Sequence, residues 1–246
     1  QGSRSTSNLG SFDTASSSEL CFGNDCGIPQ RFFNGMMDEV GIYSKALSAD
    51  DVKSVYDGQK VSTAFDIALD SCGTLSESGI HVLSNDLIID QSTINNGFGT
   101  CLTVTQPGTT IDCNGNMITI AVDADTTGLM GIYTDQANTV IRDCNVQVGR
   151  ENDGIHFASG SSGEIVDTTS SGNKNGIYAN SVGGLEVVSS TIENNEAYGI
   201  FARNSGDVVI KANTIGSSGR DNVFVFNSAS GSGKSKISGN TIDGKS

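Results

Sequence analysis

Residues 131–221 read GIYTDQANTVIRDCNVQVGREND, GIHFASGSSGEIVDTTSSGNKN, GIYANSVGGLEVVSSTIENNEAY and GIFARNSGDVVIKANTIGSSGRD when the chain is divided before each Gly-Ile pair. A fifth segment begins at Asn222-Val223-Phe224, so the segments start at positions 131, 154, 176, 199 and 222. A repeat of about 23 residues is typical of solenoids, in which each coil contacts its neighbours and the stacked coils share one core. This part of the chain is therefore predicted to be a solenoid.

Each coil contains three short apolar runs, and such runs between Gly, Ser, Asn and Asp are typical of β-strands. The first run is the Gly-Ile segment. The second contains Val140-Ile141, Val187-Val188, Val209-Ile210 and Ile237, and the third begins at Val146, Ile192, Ile215 and Ile242. Three strands per coil predict a triangular cross-section.

The alternation within the first run predicts which side chains face the core. Side chains two residues apart in a strand point to the same side. The expected inward residues are Ile132, Ile155, Ile177, Ile200 and Val223. Two less regular segments, Gly79-Ile80-His81-Val82-Leu83 and Cys101-Leu102-Thr103-Val104, are placed at the same position in the first two coils.

A polar position recurs just before the third strand. Asn213 and Asn240 each precede a Thr-Ile pair, and Ser190 and Cys144 occupy the same step in earlier coils. Stacked turns of this kind predict a ladder of side chains along the solenoid.

The six cysteines form an even set without a CxxC pair, which favours disulfides over a zinc or redox site. Their separations suggest bridges within three pairs, although other pairings and free buried thiols stay open. The pairs are Cys21 with Cys26, Cys72 with Cys101, and Cys113 with Cys144. Bridges would place the chain outside the reducing cytosol, so an extracellular or cell-surface location is expected.

The charge of the chain limits its partners. The sequence holds 28 acidic and 14 basic side chains, a formal net charge of -14. This charge repels phosphate backbones and disfavours nucleic acid as a partner. No apolar run approaches the roughly 20 residues of a membrane span, so direct membrane insertion is not expected. We interpret the excess of acidic side chains as an aid to solubility, and calcium binding is the alternative interpretation. The sequence implies no other cofactor.

Residues 1–58 differ from the repeat, and residues 59–67 read as a linker. The segment RFFNGMMDEVGIYSKALSADDVKSVYDG, residues 31–58, resembles the closing part of a laminin-G-like, concanavalin-type jelly roll. The cap at Ser48 followed by Asp50 and Asp51 predicts a short helix here. The resemblance covers only the final third of such a sandwich, so this region is expected to be a jelly-roll remnant.

Residues 68–246 resemble the right-handed parallel β-helix superfamily associated with carbohydrate binding and sugar hydrolysis, including pectate-lyase-like surface proteins. The likeness lies in SCGTLSESGIHVLSNDL, TTIDCNGNMITI and NTVIRDCNV. The expected fold is all-β: a right-handed parallel β-helix with three strands per coil and coils of about 23 residues, preceded by the jelly-roll remnant.

The motifs of sugar-cleaving enzymes on this fold are absent from the repeat region, which contains no Asp-Asp pair, Gly-His-Gly or Arg-Ile-Lys. A polar cluster is the remaining catalytic candidate, because carboxylates near a basic residue can hold calcium and abstract a proton. Its members are Asp123, Asp125, Asp135, Arg142, Asp143, Arg150, Glu151, Asp153 and His156. Solvated turn residues are the alternative interpretation.

A row of rings follows the inward residues. Tyr133, His156, Tyr178, Phe201 and Phe224 are expected to point outward and to stack at the strand spacing of roughly 4.8 Å. Sugars and protein partners both bind such aromatic surfaces. A stripe covered by a loop or by the first region is the alternative.

The sequence thus predicts binding or assembly rather than catalysis. The first expectation is an extracellular structural protein that associates with itself, head to tail, because the jelly roll is incomplete and the last coil has no cap. The alternative is a carbohydrate-binding surface or adhesion module. The third possibility is a polysaccharide lyase or glycoside hydrolase.

Overall fold

A computed structural model describes residues 66–90, 93, 99–121, 127–227 and 233–244. All of them belong to one compact unit of the chain, Lys45–Ser246. The jelly-roll remnant predicted for residues 1–58 lies outside these ranges, as do Cys21, Cys26, Asp123, Asp125 and most of the predicted linker.

The described residues form three parallel sheets. Sheet I contains β2 (Gly73–Leu75), β5 (Thr100–Val104), β8 (Met130–Thr134), β11 (Asp153–Phe157), β14 (Asn175–Asn180), β17 (Tyr198–Arg203) and β20 (Val223–Phe226). Sheet II contains β1 (Asp66–Leu69), β3 (Ile80–Leu83), β6 (Thr110–Asp112), β9 (Thr139–Arg142), β12 (Ser162–Val166), β15 (Gly184–Val188), β18 (Asp207–Lys211) and β21 (Ser235–Ser238). Sheet III contains β4 (Leu87–Ile89), β7 (Met117–Ile120), β10 (Asn145–Gln147), β13 (Thr169–Ser171), β16 (Thr191–Glu193), β19 (Thr214–Gly216) and β22 (Thr241–Asp243).

The chain visits the three sheets in turn, which confirms the all-β solenoid with three strands per coil. From β8 onward the register follows the sequence repeat, because Ile132, Ile155, Ile177, Ile200 and Val223 are aligned on neighbouring strands. The first four of these side chains are fully buried, and Val223 packs against the core from the last described strand of sheet I. The expected inward column is therefore confirmed.

The segment 79–83 was predicted in the wrong sheet. Cys101–Val104 does lie in sheet I, where Leu102 pairs with Ile132, but Ile80–Leu83 is β3 of sheet II. The sheet I strand of that coil is β2, in which Gly73 pairs with Leu102. The alternation of β3 is also opposite to the prediction, since His81 and Leu83 are buried.

The cause of this error is the length of the early coils. In sheet I, one early coil runs from Gly73 to its register partner Leu102, and the next runs from Leu102 to Ile132. Both are several residues longer than the coils that begin at the Gly-Ile pairs. Counting back from Gly131 by the repeat length therefore misses the early strands. In addition, Gly79-Ile80-His81 at the start of β3 has the same sequence as the start of a later coil, Gly154-Ile155-His156.

The predicted polar ladder runs through the turns between sheets II and III. The backbone N–H of Ser190 donates to Oδ1 of Asn213 at 2.8 Å, and the N–H of Asn213 donates to Oδ1 of Asn240 at 2.9 Å. The N–H of Thr168 donates to the Ser190 hydroxyl at 3.2 Å, and the N–H of Cys144 donates to the Thr168 hydroxyl at 3.4 Å. These weaker bonds continue the ladder back to Cys144. The ladder therefore satisfies buried backbone groups of successive turns.

A second ladder, which was not predicted, lies where sheet III leads into sheet I. The N–H of Val148 donates to Oδ1 of Asn173 at 2.7 Å, and the N–H of Asn173 donates to Oδ1 of Asn195 at 3.0 Å. Both asparagines are buried. Two corners of the triangle are thus held by internal amide side chains.

Two disulfides link neighbouring coils. Cys72 is bonded to Cys101 and Cys113 to Cys144, with Cα atoms 4.5 and 4.7 Å apart, as the sequence separations suggested. Structural disulfides persist in oxidising compartments, so the bridges are consistent with an extracellular protein. Within the described ranges, no helix has the length and apolar character of a membrane span.

Candidate functional site

The five predicted rings form a continuous row on the outer face of sheet I, which we call the aromatic ladder. It consists of Tyr133, His156, Tyr178, Phe201 and Phe224, each paired in register with the next. Each ring follows an inward aliphatic residue, and the alternation of a β-strand turns it to the opposite side. All five residues are half-buried, so the ladder lies at the surface.

The rings change orientation along the ladder. The Tyr133, His156 and Tyr178 rings are tilted by 37° and 34°, with centroids 5.6 and 4.6 Å apart. The Tyr178, Phe201 and Phe224 rings are stacked within 6° and 8° of parallel, with centroids 5.0 and 5.1 Å apart. Stacked rings cover each other's faces, so this part of the ladder presents ring edges. Parallel rings at this spacing stabilise one another through offset stacking.

A hydrogen-bonded network adjoins the tilted part of the ladder. The Asp153 carboxylate lies 3.1 Å from Nδ1 of His156 and accepts a 2.7 Å hydrogen bond from the Asn175 side-chain amide. Asp153 therefore holds the imidazole by one ring nitrogen, and its second carboxylate oxygen is bound by Asn175.

Residues immediately before the Gly-Ile pairs form a second outer column. Met130, Asp153, Asn175 and Tyr198 are aligned on successive strands. The Tyr198 ring lies 5.1 Å from Phe201 and 5.5 Å from Phe224, and the Arg220 guanidinium lies 5.9 Å from the Tyr198 centroid. Our sequence interpretation missed Asn175 and Tyr198, although their fixed place before each Gly-Ile pair was a usable signal.

The ladder is electrostatically uneven. Burial, and to a smaller degree the Asp135 carboxylate, raises the pKa of the Tyr133 phenol above its ordinary value of 10.0. The Tyr133 hydroxyl therefore stays protonated at neutral pH and can donate a hydrogen bond. At the other end of the ladder, the charged neighbour is a cation: Arg203 lies two residues after Phe201 on the same strand and is exposed. The carboxylates Asp135 and Asp153 thus lie beside the tilted rings, and the cations Arg203 and Arg220 lie nearer the stacked rings.

The predicted polar cluster is distributed over two sheets. Arg142 lies on sheet II and forms a 2.8 Å ion pair with Asp112, and Asp143 lies in the turn that follows, with a φ of 52°. Arg150 forms an exposed ion pair of 3.2 Å with Glu196. Of the described members, the structure joins Asp153 to His156 by a direct contact.

No group of three or more His, Cys, Asp or Glu residues in the described part of the chain is arranged to hold a metal ion. Asp123 and Asp125, which completed the predicted cluster, lie outside that part. Calcium binding therefore stays a prediction for them.

Comparison with known protein families agrees with this architecture. Residues 130–246 match the family described as "Right handed beta helix region". The solenoid is a right-handed parallel β-helix. Comparisons with curated proteins and with solved structures gave no match. The matched residues of the β-helix include the whole aromatic ladder.

Proposed function

We propose that the protein is an extracellular carbohydrate-binding protein and that it binds its ligand along the aromatic ladder. The observation that supports this proposal is the continuity of Tyr133, His156, Tyr178, Phe201 and Phe224 across five neighbouring strands, on one rigid face. A surface fixed by a sheet loses little conformational freedom when a ligand binds.

The composition of the ladder suits a sugar. A sugar unit has apolar C–H surfaces and many hydroxyl groups, so it needs both aromatic contacts and hydrogen-bonding groups. The ladder offers ring surfaces together with the Tyr133 and Tyr178 hydroxyls, and Asp153, bound to Asn175, contacts the His156 ring between these two tyrosines. Ligand sites commonly combine an apolar surface with a few fixed polar groups in this way.

Charge favours some ligands over others. The chain carries a formal net charge of -14, so polyanions such as nucleic acid are repelled at a distance. The two coil-linking disulfides support an oxidising environment, where glycans are plentiful. Head-to-tail self-association, which the sequence led us to expect, stays a separate prediction. It concerns the two ends of the chain and not the aromatic ladder.

Isothermal titration with a panel of soluble tetrasaccharides tests the proposal. The double variant Tyr133→Ala and Tyr178→Ala removes two rings and two hydroxyls, and we expect it to weaken binding by at least about tenfold. Val209→Ala, a truncation on the outer face of sheet II, is the matched control and should bind like the wild type. Equal affinity of the double variant and the control, or no binding across the panel, would contradict the proposal.

A further inference from the structure

The aromatic ladder ends at Tyr133 on the side of the early coils. Its register partner on β5 is Thr103, and Thr103 in turn pairs with Thr74 on β2. Among the described residues, Tyr133 has a ring partner on one side only, His156. The row of rings therefore continues as a row of threonines on the same face of sheet I.

A cleft of about 430 Å³ opens at this end of the ladder. Thr103 and Thr100 line it from sheet I, and Leu87 and Ile88 line it from sheet III. Thr103 continues the column of the ladder, and Thr100 continues the second column through its pairing with Met130. The cleft is thus one strand spacing, roughly 4.8 Å, from the ladder.

Thr100 gives the cleft an unused polar group. The residue is 4 % exposed, it lines the cleft, and its hydroxyl makes no hydrogen bond to any described residue. A hydroxyl that borders a cleft and that no described residue satisfies is available to a bound polar ligand or to water.

The charge of the cleft indicates what the ligand carries. Asp70, Asp86 and Asp90 line it, and none of its lining residues in the described chain is Lys, Arg or His. Oδ1 of Asp86 accepts a 2.8 Å hydrogen bond from the N–H of Met117, so that carboxylate is fixed in place. Carboxylates repel an acidic sugar and attract an ammonium group, whose three N–H donors match the carboxylate and hydroxyl acceptors.

We propose that this cleft binds the free amino group of an amino-sugar unit whose neighbouring units lie along the aromatic ladder. This inference rests on the proposed function, and it specifies the ligand class. The protein then prefers glycans with free amines to neutral glycans, and neutral glycans to polyuronates. The hydroxyls of Thr100 and Thr103 accept or donate hydrogen bonds to the same unit.

Titration with three tetrasaccharides of equal length tests the preference near neutral pH. The glucosamine tetramer is cationic, its N-acetylated form is neutral, and the galacturonate tetramer is anionic. We expect the glucosamine tetramer to bind about tenfold more tightly than the N-acetylated form, with a difference that shrinks at high salt because exposed charges are screened. The galacturonate tetramer should bind most weakly.

Variants of the cleft separate this inference from the proposed function. Asp70→Asn with Asp86→Asn removes two charges but keeps an amide oxygen for the Met117 N–H. We expect this variant to lose about tenfold in affinity for the glucosamine tetramer and to keep its affinity for the N-acetylated form. Glu164→Gln with Glu186→Gln removes two charges from sheet II and should change neither affinity.

Three outcomes would overturn the amino-sugar site. They are a galacturonate tetramer that binds as tightly as the glucosamine tetramer, an equal loss in the sheet II control, and affinity that is insensitive to Asp70 and Asp86. If the N-acetylated form still binds and depends on Tyr133 and Tyr178, the ladder proposal survives that result. Absence of binding by all three tetramers would overturn both proposals.

Discussion

His81 occupies a core position that aliphatic residues fill elsewhere. Its register partners on sheet II are Ile67 and Ile111, and the residue is 3 % exposed. Nε2 lies 2.9 Å from the Glu77 carbonyl oxygen and donates a hydrogen bond to it. That buried Nδ1 has no partner among the described residues. An unsatisfied buried polar atom is costly, so this residue weakens the coil it belongs to.

Replacing His81 by isoleucine should therefore stabilise the protein. His81→Ile removes the unpaired nitrogen and extends the aliphatic column, while the Glu77 carbonyl, in an exposed residue, can bind water instead. We expect a gain of about 1 kcal/mol in the free energy of unfolding, measured by urea denaturation. His81→Ala, which leaves a cavity, should lower the midpoint. A lower midpoint for His81→Ile would show that the hydrogen bond to Glu77 stabilises the protein by more than the unpaired Nδ1 destabilises it.

At the scale of the turns, the polar ladder between sheets II and III depends on one central residue, Asn213. Asn213 accepts the Ser190 N–H and donates to the Val187 carbonyl and to Asn240. Asn213→Ala leaves buried backbone groups unpaired and should cost about 2 to 4 kcal/mol of unfolding free energy, measured by urea denaturation. Asn240→Ala is the control, because Asn240 is only half-buried and water can replace it. Equal losses in the two variants would contradict the argument from burial.

Strands and core were predictable wherever the coil length stayed constant. In a repeat of about 23 residues, a single alignment places every inward residue, and the row of rings follows from strand alternation. The early coils escaped prediction because their additional residues shift the register without changing local patterns, so β3 resembled a strand of sheet I. Ring tilt, the Asp153 network and the cleft also escaped, since side-chain torsions and the packing between sheets are not encoded in spacing.

At the scale of the whole β-helix, the two disulfides of its described residues lie where the coils are least regular. The stability of a solenoid is approximately a sum over coils and the contacts between neighbours. The early coils, from Gly73 to Leu102 and from Leu102 to Ile132, contain more residues than the later coils do, and closing a longer connection costs more conformational entropy. The bridges Cys72–Cys101 and Cys113–Cys144 offset this cost by joining successive coils in the same part of the chain.

Removing one bridge should then uncouple the early coils from the later ones. The variant Cys113→Ala with Cys144→Ala opens a link between residues 31 positions apart, and the chain-entropy relation gives a loss of about 3 to 4 kcal/mol. We expect hydrogen exchange to show faster opening of β2 to β7, while β14 to β18 keep their protection. Wild-type protein under reducing conditions should show the same pattern. Uniformly faster exchange over all strands would instead mean that the β-helix unfolds as one cooperative unit, with the bridges stabilising every coil equally.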